Sequence, residues 1–541
     1  MTVDTCKVLM IFPRFNTNSF WNYRATCELK GARYPAAPLG LITVAALLPR
    51  SWEARLVNRN TETLGEADLE WADLVMTGGM LFQQPDTLRI IEMCRMRRKP
   101  VVVGGPDATS TPEIYNRANF QVLGEAEEIM KDFVAAWRSG AERGVFRAPM
   151  GQTDVTKSPT PRFDLLKLED YLHVGIQFSR GCPFNCEFCD IIELYGRVPR
   201  TKSNEQVLAE LDALYALGHR GHVDFVDDNL IGNKKALKKF LPDLQRWLNK
   251  RKFPFEFTTE ASINLADDPE LLRALSAANF FGIFVGIESP DTDTLVLMRK
   301  KQNTRRSLQE SISRIYSAGI GVFAGFIVGF DSENASIADA MIECIEDTAI
   351  PVCAVGLLYA LPATQLGRRL LREGRLFSGY DGPSPEDEGD QCTAGLNFET
   401  KRSRRDVLAD YRAVLDAVYD PAAYFGRVRR VGRMLKRGKR RLKAPLRYVL
   451  RDARGFGRLM WRLPNAGPGT ARQFWMMALD CAIHNPRALP FLFMLSGLYL
   501  HYGPFSRQVI GQIDRQIEDI DLGRWSTPQL APAEDKELSA A

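Results

Sequence analysis

Three cysteines, Cys182, Cys186 and Cys189, stand at C-x3-C-x2-C spacing in the run RGCPFNCEFC (180–189). Three thiolates leave a tetrahedral structural zinc one ligand short. They can instead hold three irons of a [4Fe–4S] cluster and leave the fourth open, which lets a cluster bind a small molecule and pass it an electron. The other seven cysteines, Cys6, Cys27, Cys94, Cys344, Cys353, Cys392 and Cys481, are scattered and read as packing residues. Ten cysteines in 541 residues make no disulfide framework, so the cluster points to a reducing compartment. The N-terminus, MTVDTCKVLMIF, has only five apolar residues in a row (8–12), too few for a signal-peptide core, and a cytoplasmic protein is expected.

A chain of 541 residues has room for three to four domains. Residues 1–145 alternate β-branched runs with helical patterns: KVLMIFP (7–13), a helix over 39–48, LVMTGG (74–79), a helix over 88–96 and PVVVGGP (100–106). Such alternation predicts a doubly wound, Rossmann-like parallel α/β domain, with ligands at the glycine turns that close its strands. Those turns hold Gly104, Gly105 and Gly124, and none has GxGxxG spacing, which disfavours an ordinary dinucleotide site. Residues 146–172 read as a linker. Over 173–378 six strands are expected, at 174–178, 222–226, 256–260, 281–287, 322–328 and 352–359. Six βα units predict a partial (β/α)6 barrel with its active residues at the strand C-termini. From 379 to 541 the pattern is mainly helical, after an acidic, Pro/Gly-rich patch over 378–391.

The cysteine run and the strand ends that follow it resemble the radical S-adenosylmethionine (SAM) superfamily. The resemblance implies that Cys182, Cys186 and Cys189 ligate the cluster and that its open iron chelates SAM for reductive cleavage to an adenosyl radical. Asp227, Asp228 and Asn229 occupy the place where the family contacts the methionyl amino group, in a form other than the commoner Gly-Gly-Glu. Glu260 and Ser262 fall where it touches ribose and carboxylate, and Glu288 in the motif flanking adenine. The domain in front, with PLGL (38–41), GGP (104–106) and GEAE (124–127), is similar to the cobalamin-binding domain of one radical SAM subclass. No histidine precedes His173, so the resemblance implies cobalamin without a protein histidine on cobalt. A carbon radical needs a methyl donor other than electrophilic SAM, and methylcobalamin supplies one. This pairing implies a C-methyltransferase fed by an external flavodoxin- or ferredoxin-type reductant.

Net charge is +5, yet 15 of the Lys and Arg residues and a single acid, Asp452, fall in 427–462, a local +14. Interleaved with Leu, Val and Met, this stretch has the composition of a basic amphipathic segment on an anionic membrane. An apolar block (488–500) nearby is too short, at 13 residues, to span a bilayer. Because no RNA-binding module is recognisable, a nucleic-acid partner is not expected. A lipid substrate drawn from a membrane would account for both features. Over nearly the whole chain the order of parts is similar to a methylase group that includes hopanoid 2-methylases and enzymes methylating bacteriochlorophyll side chains. Hopanoid 2-methylation is the resulting expectation. Methylation of another polycyclic or porphyrin-like lipid, radical cyclisation or oxidation without methyl transfer, and a non-enzymatic electron carrier are the alternatives. His219 and His222, flanking a turn before a strand, read as surface or strand-entry residues.

Overall fold

The computed structural model describes residues 5–304, 306–378, 393, 395–438 and 445–532. The strands in chain order are β1 (Lys7–Phe12), β2 (Tyr34–Ala36), β3 (Glu53–Asn58), β4 (Leu74–Gly78), β5 (Val101–Gly104), β6 (Phe120–Leu123), β7 (Gly144–Arg147) and β8 (Tyr171–Ile176). They continue as β9 (Ser179–Arg180), β10 (Arg200–Thr201), β11 (Gly221–Phe225), β12 (Phe255–Glu260), β13 (Phe280–Glu288), β14 (Gly321–Val328) and β15 (Val352–Leu357). One sheet has the order β3-β1-β4-β5-β6-β7 and is parallel throughout. β1, with Val8, Leu9, Met10 and Ile11 wholly buried, is apolar on both faces, as a central strand covered by helices on either side must be. The expected domain limit at 145 falls inside β7, which carries the first unit to Arg147.

The second sheet is β15-β14-β13-β12-β11-β8-β2, also parallel. All six strands expected over 173–378 are present, and the seventh, β2, comes from the N-terminal part. It pairs Tyr34 with Tyr171 and Ala36 with His173. Pro35 fits because β2 is an edge strand and its missing N–H costs no ladder bond. Helices fill the remainder: Arg404–Tyr419, Pro421–Met434, Leu446–Arg462, Thr470–His484 and the 33-residue Leu489–Asp521. Among the described residues no helix is long and apolar enough to cross a membrane.

Burial corrects one reading of the tail and agrees with another. Arg427, placed by composition in a basic segment facing a membrane, has no exposed surface; it donates to the Ile350 carbonyl at 3.0 Å, to the Val418 carbonyl and to Glu346. The 488–500 block is largely core, with Phe491, Leu492, Leu495 and Tyr499 buried. Of the basic run, Lys439, Arg440, Arg441 and Lys443 lie outside the described residues, as does the acidic patch beyond Ser378.

Candidate active site

The cysteine loop leaves β8 and returns as a two-residue hairpin, β9 pairing β10 antiparallel (Arg200 with Arg180, Thr201 with Ser179). Gly181 makes the turn possible: its φ is +91°, and a Cβ there would lie 2.9 Å from the Gly196 carbonyl oxygen and 3.1 Å from that of Val198. Asp227 pins the start of the loop, accepting the Phe178 N–H at 3.0 Å, the Ser179 N–H at 2.5 Å and the Ser179 hydroxyl at 2.6 Å. Asp228 accepts the Gly181 N–H at 3.0 Å. Asn229 bridges loop and barrel: its Nδ2 donates towards Cys182 Sγ at 3.9 Å and to Ser262 Oγ at 3.1 Å, while its Oδ1 accepts the Ser262 N–H at 3.1 Å.

The donor set fits a cluster. Gln302 Nε2 donates to Cys186 Sγ at 3.6 Å, and with Asn229 it gives two sulfurs an amide donor each, a common means of setting cluster potential. Burial pushes the Cys182 thiol up and the Cys189 thiol far up, so metal must displace their protons. Lys300, ion-paired with Glu288, lies 5.6 Å over the Phe188 ring and supplies positive charge beside Cys186 and Cys189. Among the described residues no three His, Cys, Asp or Glu side chains gather around one point as single-ion ligands would. A four-iron cluster asks for a different arrangement, one thiolate per iron. Glu288 itself sits at φ +68°, just past a bulge in the β13–β14 register.

A cavity of about 1470 Å³, larger than most single-ligand pockets, joins the two sheets. Gly104, Gly105 and Gly124 line it at the strand ends of the first domain, and Arg180, Asp190, Asp228 and Glu260 at the cysteine end. Cβ atoms at Gly78 and Gly104 would meet the Gly104 and Val122 carbonyl oxygens at 2.2 and 2.7 Å, so close strand contact demands glycine there. What results is a wall of bare backbone. Gly40, also on the lining, borders open space, its Cβ meeting nothing within 4 Å. This cradle suits a broad, flat ligand. Asp227, Asn229, Ser262 and Glu288 do not line the cavity and are engaged in hydrogen bonds and an ion pair within the barrel, whereas Asp228 and Glu260 face the cavity.

Glu260, at the end of β12, is exposed to the space inside the cavity, with the protein packed around that space on the other sides. Burial, then the charges of Asp224, Asp228, Glu288 and Asp227, push its carboxyl up to about 8. The folded protein therefore keeps a proton that an ordinary glutamate, at 4.5, has lost. Its contribution to stability is complete below the unfolded value and is lost as pH rises through about 8. Glu260→Gln should flatten the fall in melting temperature between roughly pH 5 and pH 9 in SAM-free protein. At the alkaline end its melting temperature should rise slightly by scanning calorimetry, the gain being limited by water in the cavity that screens the carboxylate. An unchanged pH profile would refute that protonation state.

Sequence reading missed two groups of residues here. Glu125 and Glu127, from the first domain, ion-pair with the cysteine loop: Arg180 reaches Glu125 at 3.0 Å and Glu127 at 2.7 Å, and Arg200 reaches Glu125 at 2.8 Å. The second group lies inside the barrel, where His173, His222, Asp224, Glu256 and Thr258 line the cavity. His222 is thus no surface residue.

The radical SAM superfamily model matches residues 176–345, and a domain of unknown function matches 364–515. An uncharacterized methyltransferase of Synechocystis sp. is 40% identical over 546 residues, covering 99% of this chain and all of that protein. The hopanoid C-2 methylase of Rhodopseudomonas palustris is 38% identical over 376 residues, 68% of this chain and 71% of that one. In fold the chain is similar to the cobalamin-dependent SAM radical enzyme OxsB, with a TM-score of 0.60 at 14% identity, covering 97% of this chain and 82% of that one. With the cysteine loop, the half-barrel and these relatives together, the chain belongs to the cobalamin-binding methyltransferase family of radical SAM enzymes.

Proposed function

We propose that this enzyme methylates an unactivated carbon of a polycyclic lipid, and that the reaction is hopanoid C-2 methylation. One observation carries the reading: a single large cavity runs from the glycine wall of the first domain, past the cysteine loop, to the helix Leu446–Arg462. The likeness to a hopanoid C-2 methylase supports the substrate. Cluster and SAM together supply hydrogen abstraction, and cobalamin the methyl group, with an external flavodoxin- or ferredoxin-type donor furnishing the electron. The chain's own share is placement. Cys182, Cys186 and Cys189 hold the cluster, and Asp228 and Glu260 offer a carboxylate and a proton to the polar groups of SAM. Gly40, Gly104, Gly105 and Gly124 border the cobalamin. Phe12, Phe15, Trp21, Phe281, Phe284 and Phe323 give the cavity an apolar lining that keeps water from a reactive intermediate. Lipid mass spectrometry of a host with and without the gene tests the reading. The methylated hopanoid should vanish in the deletion, and the purified enzyme should release S-adenosylhomocysteine alongside 5′-deoxyadenosine. Deoxyadenosine alone would favour cyclisation or oxidation.

The same reading places the enzyme on a membrane surface. On the outer side of the tail, Leu446 is 72% and Trp461 80% exposed, and Val449, Leu450, Trp475, Leu479, Ile483 and Arg454 are exposed as well. Leu446→Glu with Trp461→Glu should lower sedimentation with anionic liposomes and leave cluster content intact. Wild-type binding should weaken with salt as the Debye length falls from about 10 Å at 0.1 M to about 3 Å at 1 M. If liposome binding survives both treatments, this face is not the contact.

A further inference from the structure

We propose that the end of the barrel remote from the cysteine loop is a subsite for a hydroxyl-bearing part of the substrate, so that the enzyme selects a hydroxylated amphiphile over the bare hydrocarbon. The inference rests on the polycyclic-lipid reading above. Strands β8, β11 and β12 turn alternate residues inwards, and the inward set here is polar: His173, His222, Asp224, Glu256, Thr258 and Glu260. Thr258 Oγ1 donates its one proton to Asp224 Oδ1 at 2.5 Å, and it lies 2.6 Å from His222 Nε2. The proton between Thr258 and His222 therefore sits on Nε2. Burial drives His222 far below its ordinary value, which keeps the ring neutral and leaves Nδ1 a bare acceptor. The ring is fixed between His173 and Phe281, with centroids 5.0 and 5.1 Å away.

Two residues that line the same cavity each hold a buried nitrogen without a protein hydrogen-bond partner, His173 Nδ1 and Arg451 Nε. Acceptors on Asp224 and His222, in a cavity also lined by the Arg451 guanidinium, match a group that both gives and takes a hydrogen bond. A hydroxyl does so; a hydrocarbon would leave these groups unpaired at a cost. The placement agrees. Glu256 to Glu260 on β12 covers roughly 13 Å at about 3.3 Å per residue. This separates a reacting carbon beside the loop from substituents at the far end of a fused-ring skeleton. At that far end the tail closes the barrel: Tyr448 Oη accepts the Arg220 N–H at 3.2 Å and donates to the Gly218 carbonyl at 3.1 Å, and Phe491 covers Gly321. The helix carrying Tyr448 and Arg451 is the one whose outer face exposes Leu446 and Trp461. A polar head group held here would lie next to the membrane it came from.

The test measures binding of two probes to reconstituted holoenzyme by titration calorimetry in detergent: a pentacyclic hopane hydrocarbon, and the same skeleton with a polyhydroxylated side chain. Wild type should bind the hydroxylated probe about tenfold more tightly, the yield of one or two net hydrogen bonds. Thr258→Val, nearly isosteric, should bring the ratio close to one, and Asp224→Asn should lower it in the same direction should the first variant fail to fold. Equal affinities in wild type, no binding of either probe, or a ratio that persists in both variants overturns the subsite. Methyl transfer followed on the same compounds separates the two readings. Preferential binding without transfer to either would remove hopanoid methylation and leave the subsite; transfer to both with equal binding would do the reverse.

Discussion

Anaerobically reconstituted Cys186→Ala protein should lack both the charge-transfer absorption of a [4Fe–4S] cluster and the paramagnetic signal of its reduced form, and SAM cleavage should fall to background. Two thiolates cannot hold three irons, and Cys186 is the central, most buried member of the set. Cys182→Ala and Cys189→Ala should behave alike. Gln302→Leu provides a graded control, because it removes only the amide that donates to Cys186 Sγ at 3.6 Å. The cluster should still form, but without a donor stabilising its reduced, more negative state the potential should fall, and SAM cleavage should slow without stopping. A SAM-responsive cluster in Cys186→Ala would refute the ligand assignment.

Replacing Glu125 should separate SAM cleavage from methyl transfer. Arg180 and Arg200 converge on this carboxylate, and Arg180 also reaches Glu127, all four side chains being nearly excluded from solvent. Removing one member of a buried charge network costs about 3–5 kcal/mol, because its partners stay buried and unpaired. Here the partners come from different domains, so the loss falls on how the glycine wall faces the cysteine loop. In Glu125→Gln the cluster should form and SAM should still be cleaved, whereas methylated product should drop by roughly 10²-fold, as expected for a displacement near 1 Å between reacting groups. The ratio of 5′-deoxyadenosine to methylated product reads this out, and a merely structural role would lower both together. Glu125→Asp, which keeps the charge, should recover part of the coupling. An unchanged ratio in Glu125→Gln would show that the ion pairs do not set the alignment.

The cysteine loop was legible because thiol spacing is itself chemistry, and the six barrel strands because buried parallel strands are short apolar runs between helical patterns. Tyr34–Ala36 was not, since three residues containing a proline carry no periodic signal and become a strand only when β8 offers an edge. Arg427 misled for the opposite reason. Its neighbours make a basic run, and only the packing of its helix against Ile350 and Val418 shows it as a buried anchor. The barrel interior did carry a signal that sequence reading passed over: His222 and Asp224 on one strand, and Glu256 and Thr258 on the next, in step with the Glu260 already singled out, repeat at period two. Glu125 and Glu127 stand next to a glycine turn that was read for its backbone, and nothing local announces that their partners lie 53 or more residues away.

Because β2 completes the second sheet, the barrel is not a cassette that can be lifted out of this chain. A fragment beginning after Arg147 would present β8 as an open, apolar edge where Tyr34 and Ala36 now pair with Tyr171 and His173. Such an edge invites pairing with another copy. During synthesis the N-terminal segment emerges first and must wait, unpaired, until Tyr171–Ile176 follows some 135 residues later. Exchange of cobalamin-type domains between relatives therefore has to carry residues 34–36 along with the domain, or supply another edge, for the recipient barrel to remain soluble.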